Sequence, residues 1–230
     1  MSFYNRTQIS NALIKYMKNF YWNNDIIKNK YKIFHHPYGY ETHINNQVRE
    51  TLISKTSNTA KHIRFTPDYL LIQSNNTNDF LLEYKVTKTP RYIFGDKQWN
   101  IGQIEADALE NYLNLINAGI NVAVLVYCPY HPRPLLCDIP NERWITSERL
   151  TPRYSSGSGT DYYNINLSLL NTFDDFMKKF FSIPANLTTS LLNKQFFNML
   201  KNDSLLKIEH AEKSPYKNKV TGFNWTDRYK

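Results

Sequence analysis

The chain has 230 residues, enough for one domain with a sizeable core, and carries 28 Lys+Arg against 20 Asp+Glu for a formal charge of +8. That excess favours a polyanionic partner, and aromatic residues at 15% add stacking surface. Two cysteines, Cys128 and Cys137, exclude a disulfide framework, and no apolar run is long enough to span a membrane, so the expected setting is intracellular, soluble and cytoplasmic. The start, Met1-Ser2-Phe3-Tyr4-Asn5-Arg6, has no signal-peptide core.

Taken in chain order, Thr7 or Ser10 is positioned to cap a first helix with Ile9, Leu13, Tyr16, Met17 and Phe20 on its apolar face. Lys15, Lys18, Lys28, Lys30 and Lys32 follow on or just after it, as either a solvated basic face or a phosphate contact. His35-His36-Pro37-Tyr38-Gly39-Tyr40 reads as a turn-rich connection. A second helix is expected over about 42–54, with Ile44, Val48 and Leu52 on its buried stripe. The apolar runs 67–73 and 80–86 read as two strands joined by the turn-forming cluster Ser74-Asn75-Asn76-Thr77-Asn78-Asp79. Folded about Asn76, the hairpin sets Asp68 opposite Tyr84 and so, within a residue of register, against Glu83 and Lys85. Alternation along the strand turns Glu83 and Lys85 to one face and Leu82, Tyr84 and Val86 to the other. Buried charges are costly unless paired or metal-bound, and two carboxylates beside an ammonium on an apolar hairpin point to a divalent-metal site.

A loop rich in Thr, Pro, Gly and Lys follows, and then a helix is expected over about 101–118. Its apolar stripe is Ile104, Ala108, Tyr112, Leu115 and Ile116, its polar stripe Gln103, Asp107 and Glu110, and Gly119 ends it. The continuous apolar run 121–127 reads as a strand covered on both faces, completing a strand-helix-strand crossover. Cys128, His131 and Cys137 lack a fourth ligand at matching spacing, so buried cysteines and a loop histidine are the expected reading rather than zinc. Residues 154–160 form a Ser/Gly loop with neither a phosphate-binding frame nor a nucleophile elbow. Helices are expected at 173–181 and 191–206. The tail from Lys213 interleaves bases with aromatics and would either track a nucleic-acid strand or dock on the domain.

Pro67-Asp68, fourteen intervening residues and Glu83-Tyr84-Lys85 in an apolar strand resemble the P-D…(D/E)-x-K signature of the restriction-endonuclease-like nuclease superfamily. The resemblance covers roughly residues 44 to 127. It implies an α/β fold with a mixed central sheet flanked by helices, as one nuclease domain over 1–230. The core would span about 42–130, with a helical, basic and aromatic extension over about 165–230. It also implies a magnesium-dependent DNA endonuclease of restriction type, with Mn²⁺ as a substitute. Asp68 and Glu83 would hold the metal, the Tyr84 carbonyl would be a further ligand, and Lys85 would orient the attacking water. In many members a preceding helix contributes another acid; Glu50 is the candidate here and Glu41 the fallback. Some exonuclease branches carry Gln-x-x-x-Tyr on the later helix. Gln103 is suitably placed for it as a catalytic candidate, but position 107 is Asp. DNA is the implied partner, a homodimer is compatible, and Lys88, Arg91, Lys97, Lys217, Lys219 and Arg228 are the expected phosphate contacts. An exonuclease or repair nuclease with the same chemistry, a non-catalytic nucleic-acid binder and an RNA-processing endonuclease are the alternatives.

Overall fold

A computed structural model describes residues 3–40, 44–74, 78–87, 91–93, 96–98, 100–129, 131–151 and 161–205. The chain opens with helix α1 (Phe3–Met17) and continues through π-helical turns at Lys18–Trp22 and Ile26–Lys30. Ile9, Leu13, Tyr16 and Met17 are buried along α1, as their spacing requires, but the helix already runs from Phe3, so neither Thr7 nor Ser10 caps it. Next comes strand β1 (Ile33–Pro37), in the segment expected to be a turn. A proline costs a ladder hydrogen bond, which an edge strand tolerates, and β1 is an edge strand.

Helix α2 spans Asn46–Ser54, with the Asn45 side chain accepting from the Val48 amide at 3.0 Å. No residue of α2 is buried and Val48 is 45% exposed, so the expected core stripe is absent. A short helix that sequence periodicity did not reveal, α3 (Asn58–Arg64), follows. Strands β2 (Tyr69–Gln73) and β3 (Phe80–Val86) form the expected hairpin, and hairpin β4 (Arg91–Ile93) and β5 (Asp96–Gln98) comes after it. The expected helix over 101–118 divides: 101–105 is strand β6 (Ile101–Glu105), paired antiparallel with β9 (Tyr162–Asn166), and helix α4 spans only Ala106–Asn117. The ladder with β9 satisfies the β6 backbone and buries Gly102 and Ile104 on one side, which overrides the helical spacing of Ile104 and Ala108. Gly119 does end the helical segment, at φ +83°.

Strand β7 (Val122–Tyr127) is buried throughout and β8 (Leu135–Asp138) closes the sheet, whose order is β1-β2-β3-β7-β8. β3 and β7 pair in parallel and the other neighbours antiparallel, so the fold is a mixed five-stranded α/β sheet flanked by helices. Helix α5 (Phe173–Phe181) is capped by Thr172, then α6 (Ala185–Leu191) and α7 (Lys194–Leu200) follow. The single helix expected over 191–206 is broken before Asn193, which caps α7, and ends in a π-helical turn over Lys201–Leu205. No described helix is long and apolar enough to cross a membrane.

The two sheet faces are covered differently. One face carries Leu71, Leu82, Tyr84 and Leu125 and packs on α1, α5 and α7 through residues such as Leu13, Met17, Phe176 and Phe196. The other carries Val122, Val124 and Val126 under Ala108, Leu109, Tyr112 and Leu115 of α4. Cys137 lies in the first core and Cys128 in the second, so the two thiols are parted by the sheet. On the face bearing Tyr84, Trp22 Nε1 donates to the Tyr84 hydroxyl at 2.7 Å, and that hydroxyl lies 3.0 Å from His35 Nε2. The His35 ring stacks between Trp22 and Tyr69, at 5.1 and 4.5 Å between centroids. Trp22 Nε1 thus fills one side of the Tyr84 hydroxyl and His35 Nε2 stands within hydrogen-bond reach on the other, while His35 Nδ1 is buried without a partner among the described residues.

Burial, with Lys18 and His36 adding to it, pushes the His35 pKa down to about 3. The unfolded chain takes up this proton near pH 6.5 and the folded chain does not, so His35 stabilises the fold above about pH 6.5 and that stability is lost as pH falls towards 3. Urea denaturation across this range should show His35→Phe, which retains the stack, losing stability with acid less steeply than the parent. The difference in slope should be about 1.4 kcal/mol per pH unit, and equal slopes would contradict a neutral buried imidazole.

Candidate active site

β2 and β3 pair with Tyr69 opposite Leu82 and Leu70 opposite Leu81, so one further step of the register sets Asp68 opposite Glu83. The offset from the expected Tyr84 is one residue. The Asp68 amide donates to Glu83 Oε2 at 3.3 Å. On the other side, the register of β1 with β2 continues to set Tyr38 opposite Asp68, and the Asp68 carbonyl accepts from the Tyr38 and Gly39 amides at 2.7 and 3.0 Å. The Asp68 backbone is thereby fixed from both flanks. Gly39 is required by this closeness: a Cβ there would stand 2.3 Å from Asp68 Oδ1 and 2.7 Å from its Cα.

Glu83 is 7% exposed in the middle of an apolar strand. Its Oε1 pairs with Lys85 Nζ at 2.9 Å, from a position two residues along the same face. Lys85 Nζ also lies 3.8 Å from Glu105 Oε2, at the end of β6. Burial opposes the charge on Lys85, but Glu83, Tyr112 and Glu105 together outweigh it and hold its pKa well above the ordinary lysine value. The Tyr112 hydroxyl, reaching this cluster from α4, is pushed up strongly by burial first and then by Glu83, with Asp68 and Glu105 adding and Lys85 opposing. Tyr112 belongs to the core, as its apolar stripe implied, and at the same time its hydroxyl senses the acids.

The other sequence candidates are placed as follows. Glu50 is exposed on α2 and is not among the charges acting on Lys85 or Tyr112. Gln103 lies on strand β6 rather than on a helix, two residues before Glu105 and on its face, with its amide 3.5 Å from Thr87 Oγ1. Asp107 and Glu110 are bound by Arg149, at 2.8 and 3.1 Å. Glu41, Lys88, Lys217, Lys219 and Arg228 lie outside the described residues, as do Pro152 to Thr160. Arg91 and Lys97 fall on the β4–β5 hairpin, where only the backbone pairing is described. Glu105 is the acid that sequence reading missed. Its signal was the alternation of Ile101, Gln103 and Glu105 against Gly102 and Ile104, visible only once β6 is taken as a strand.

Among the described residues no group of three or more His, Cys, Asp or Glu is arranged to hold a metal ion. Two carboxylates facing each other across neighbouring strands do fit Mg²⁺, which takes one or two carboxylates and leaves its remaining positions to water and phosphate oxygens. The donor set of Asp68 and Glu83 is all hard oxygen.

Gly39→Ala should force Asp68 away from Glu83. Calorimetric titration with Mn²⁺ is expected to show at least a tenfold weaker affinity than the parent, together with a fall in stability of about 1–3 kcal/mol from the crowded backbone. Unchanged affinity would mean that Asp68 is not held by this contact.

No protein-family model matches the sequence, and no curated protein matches it. Among solved structures, Hjc, a Holliday junction resolvase from the hyperthermophilic archaeon Archaeoglobus fulgidus, is similar over 50% of this chain and 76% of its own, at 16% identity and a TM-score of 0.30. Likeness of that extent carries no functional inference.

Proposed function

We propose that the chain is a divalent-metal-dependent DNA endonuclease of the restriction-endonuclease-like superfamily, using Mg²⁺ and hydrolysing phosphodiester bonds at Asp68, Glu83 and Lys85. The observation that carries this reading is the union of Asp68, Glu83 and Lys85 on one face of a parallel-antiparallel sheet, with the Asp68 amide on the Glu83 carboxylate and the Lys85 ammonium 2.9 Å from it. A purely structural ion pair would not need a second carboxylate fixed opposite the first, nor a glycine kept open beside it.

Asp68 and Glu83 would hold the cation, with the Tyr84 carbonyl as a further oxygen. Bound there, a divalent ion lowers the pKa of a water and offsets charge on the non-bridging and leaving oxygens of the diester. Lys85, paired with Glu83 and near Glu105, would act as a donor that orients the attacking water and counters the charge that grows on the phosphate. Glu105 keeps an anion near Lys85 when Glu83 turns to a cation. The Gln-x-x-x-Tyr pattern of exonuclease branches finds no helix at Gln103, which favours internal cleavage over end-dependent digestion.

Negatively supercoiled, covalently closed plasmid, whose torsional strain opens unpaired segments, is the decisive substrate, since only an endonuclease nicks it. The parent protein should cut it with Mg²⁺ and stop with chelator. Asp68→Asn and Glu83→Gln should abolish cutting while the variants stay folded, and Lys85→Ala should lower the single-turnover rate about 100- to 1,000-fold. A folded Asp68→Asn or Glu83→Gln protein that still cuts would rule out the metal assignment.

A further inference from the structure

The face of the sheet that carries Asp68 and Glu83 does not end with them. Across the register, Phe34 lies opposite Ile72, His36 opposite Leu70 and Tyr38 opposite Asp68, so these three side chains of the edge strand and the residue beyond it share the face of the acids. Helix α4 covers this face over β7, but over β1 it is open: Phe34 is 48% and Tyr38 45% exposed, and His36 is exposed between them. Leu70 and Ile72 beside them are only half-buried. The open stripe is aromatic rather than aliphatic, and one end of it abuts the acid pair. The other end is basic, because β1 is entered through exposed Lys30 and Lys32.

We propose that this stripe binds an unpaired stretch of DNA strand, its bases stacked on Phe34, His36 and Tyr38 and its phosphates leading from Lys30 and Lys32 to Asp68. Same-face residues of a strand stand about 6.7 Å apart, twice the 3.4 Å stacking repeat of bases, so each gap between neighbouring rings admits one base. An exposed sheet whose aromatics stack two or three bases is an established way of holding single strands. Charge favours this occupant over a protein partner: a polyanion is drawn to the lysine end, while the acid end accepts its phosphate only through a bound cation, which is where cleavage would take place. The inference rests on the nuclease reading and adds the substrate class: DNA with a single-stranded segment next to the scissile bond.

The test is equilibrium binding of the full-length protein to fluorescent oligo-dT, and to a duplex of the same length, in Ca²⁺. Phe34→Ala and Tyr38→Ala remove exposed side chains, so they leave the fold intact, and Phe34→Trp retains a stacking ring. Each alanine variant should weaken oligo-dT binding roughly 5- to 150-fold with a much smaller effect on duplex, and Phe34→Trp should bind as the parent does. Parent-like oligo-dT binding by the double alanine variant would overturn the proposal. So would an equal loss on both substrates, which would mean backbone contact, or equal binding by Phe34→Leu, which would mean apolar cover. If the alanine variants bind as the parent but dissociate a dimer in analytical ultracentrifugation, the stripe is an interface between two copies and the proposal fails. The nuclease reading is decided separately, by plasmid cutting by the parent and by the Asp68→Asn and Glu83→Gln variants.

Discussion

A carboxylate that is 7% exposed in an apolar strand is the constraint around which the rest is arranged. Glu83 ionised in such a place is tolerable only with compensating charge, and the chain supplies it from its own strand as Lys85 at 2.9 Å. That ion pair is in turn steadied by Glu105 from β6 and by the Asp68 amide from β2. Neighbouring strands β2 and β3 of the main sheet, and β6 of a separate two-stranded sheet, thus converge on one charged group. Removing a partner from such an arrangement leaves a stranded charge, typically costing about 3–5 kcal/mol, which ties the site to the stability of the fold.

The sheet's two unequal faces explain where the site sits. Behind it, Tyr84 turns the other way and is locked by Trp22 and His35 within the larger core, so β3 cannot slip without unseating both faces at once. In front, α4 lies over β7 and brings Tyr112 up to the acids, but does not extend over β1. Asp68 and Glu83 therefore occupy the line where cover stops. They are buried enough for the charges to interact strongly and open enough on the β1 side for a polymer to approach.

Much of this was legible in the sequence because short-range rules govern it. The β2–β3 hairpin follows from two apolar runs around a turn-forming cluster, and its register came within one residue. The buried strand β7, the Phe173–Phe181 helix and the role of Gly119 follow from composition and spacing. What failed depended on distant partners. Ile101–Glu105 has helical spacing with α4 and becomes a strand only because β9 pairs with it, so Glu105 was passed over. Ile33–Pro37 contains a proline and two histidines that suggest a turn, and is a strand only because β2 accepts it at the sheet edge. The helix expected over 42–54 has the periodicity of a core element, yet among the described residues Asn46–Ser54 contains none that is fully buried.

Asp68 and Glu83 together are the proposed cation site. Its most direct measurement is anomalous diffraction from crystals of the protein soaked in Mn²⁺, which locates the ion without reference to activity. The expected result is a peak at coordinating distance from a carboxylate oxygen of Asp68 and one of Glu83, with Lys85 turned towards Glu105. A structure with Mn²⁺ bound elsewhere, or with the Glu83–Lys85 pair intact and no ion beside Asp68 at saturating Mn²⁺, would contradict it.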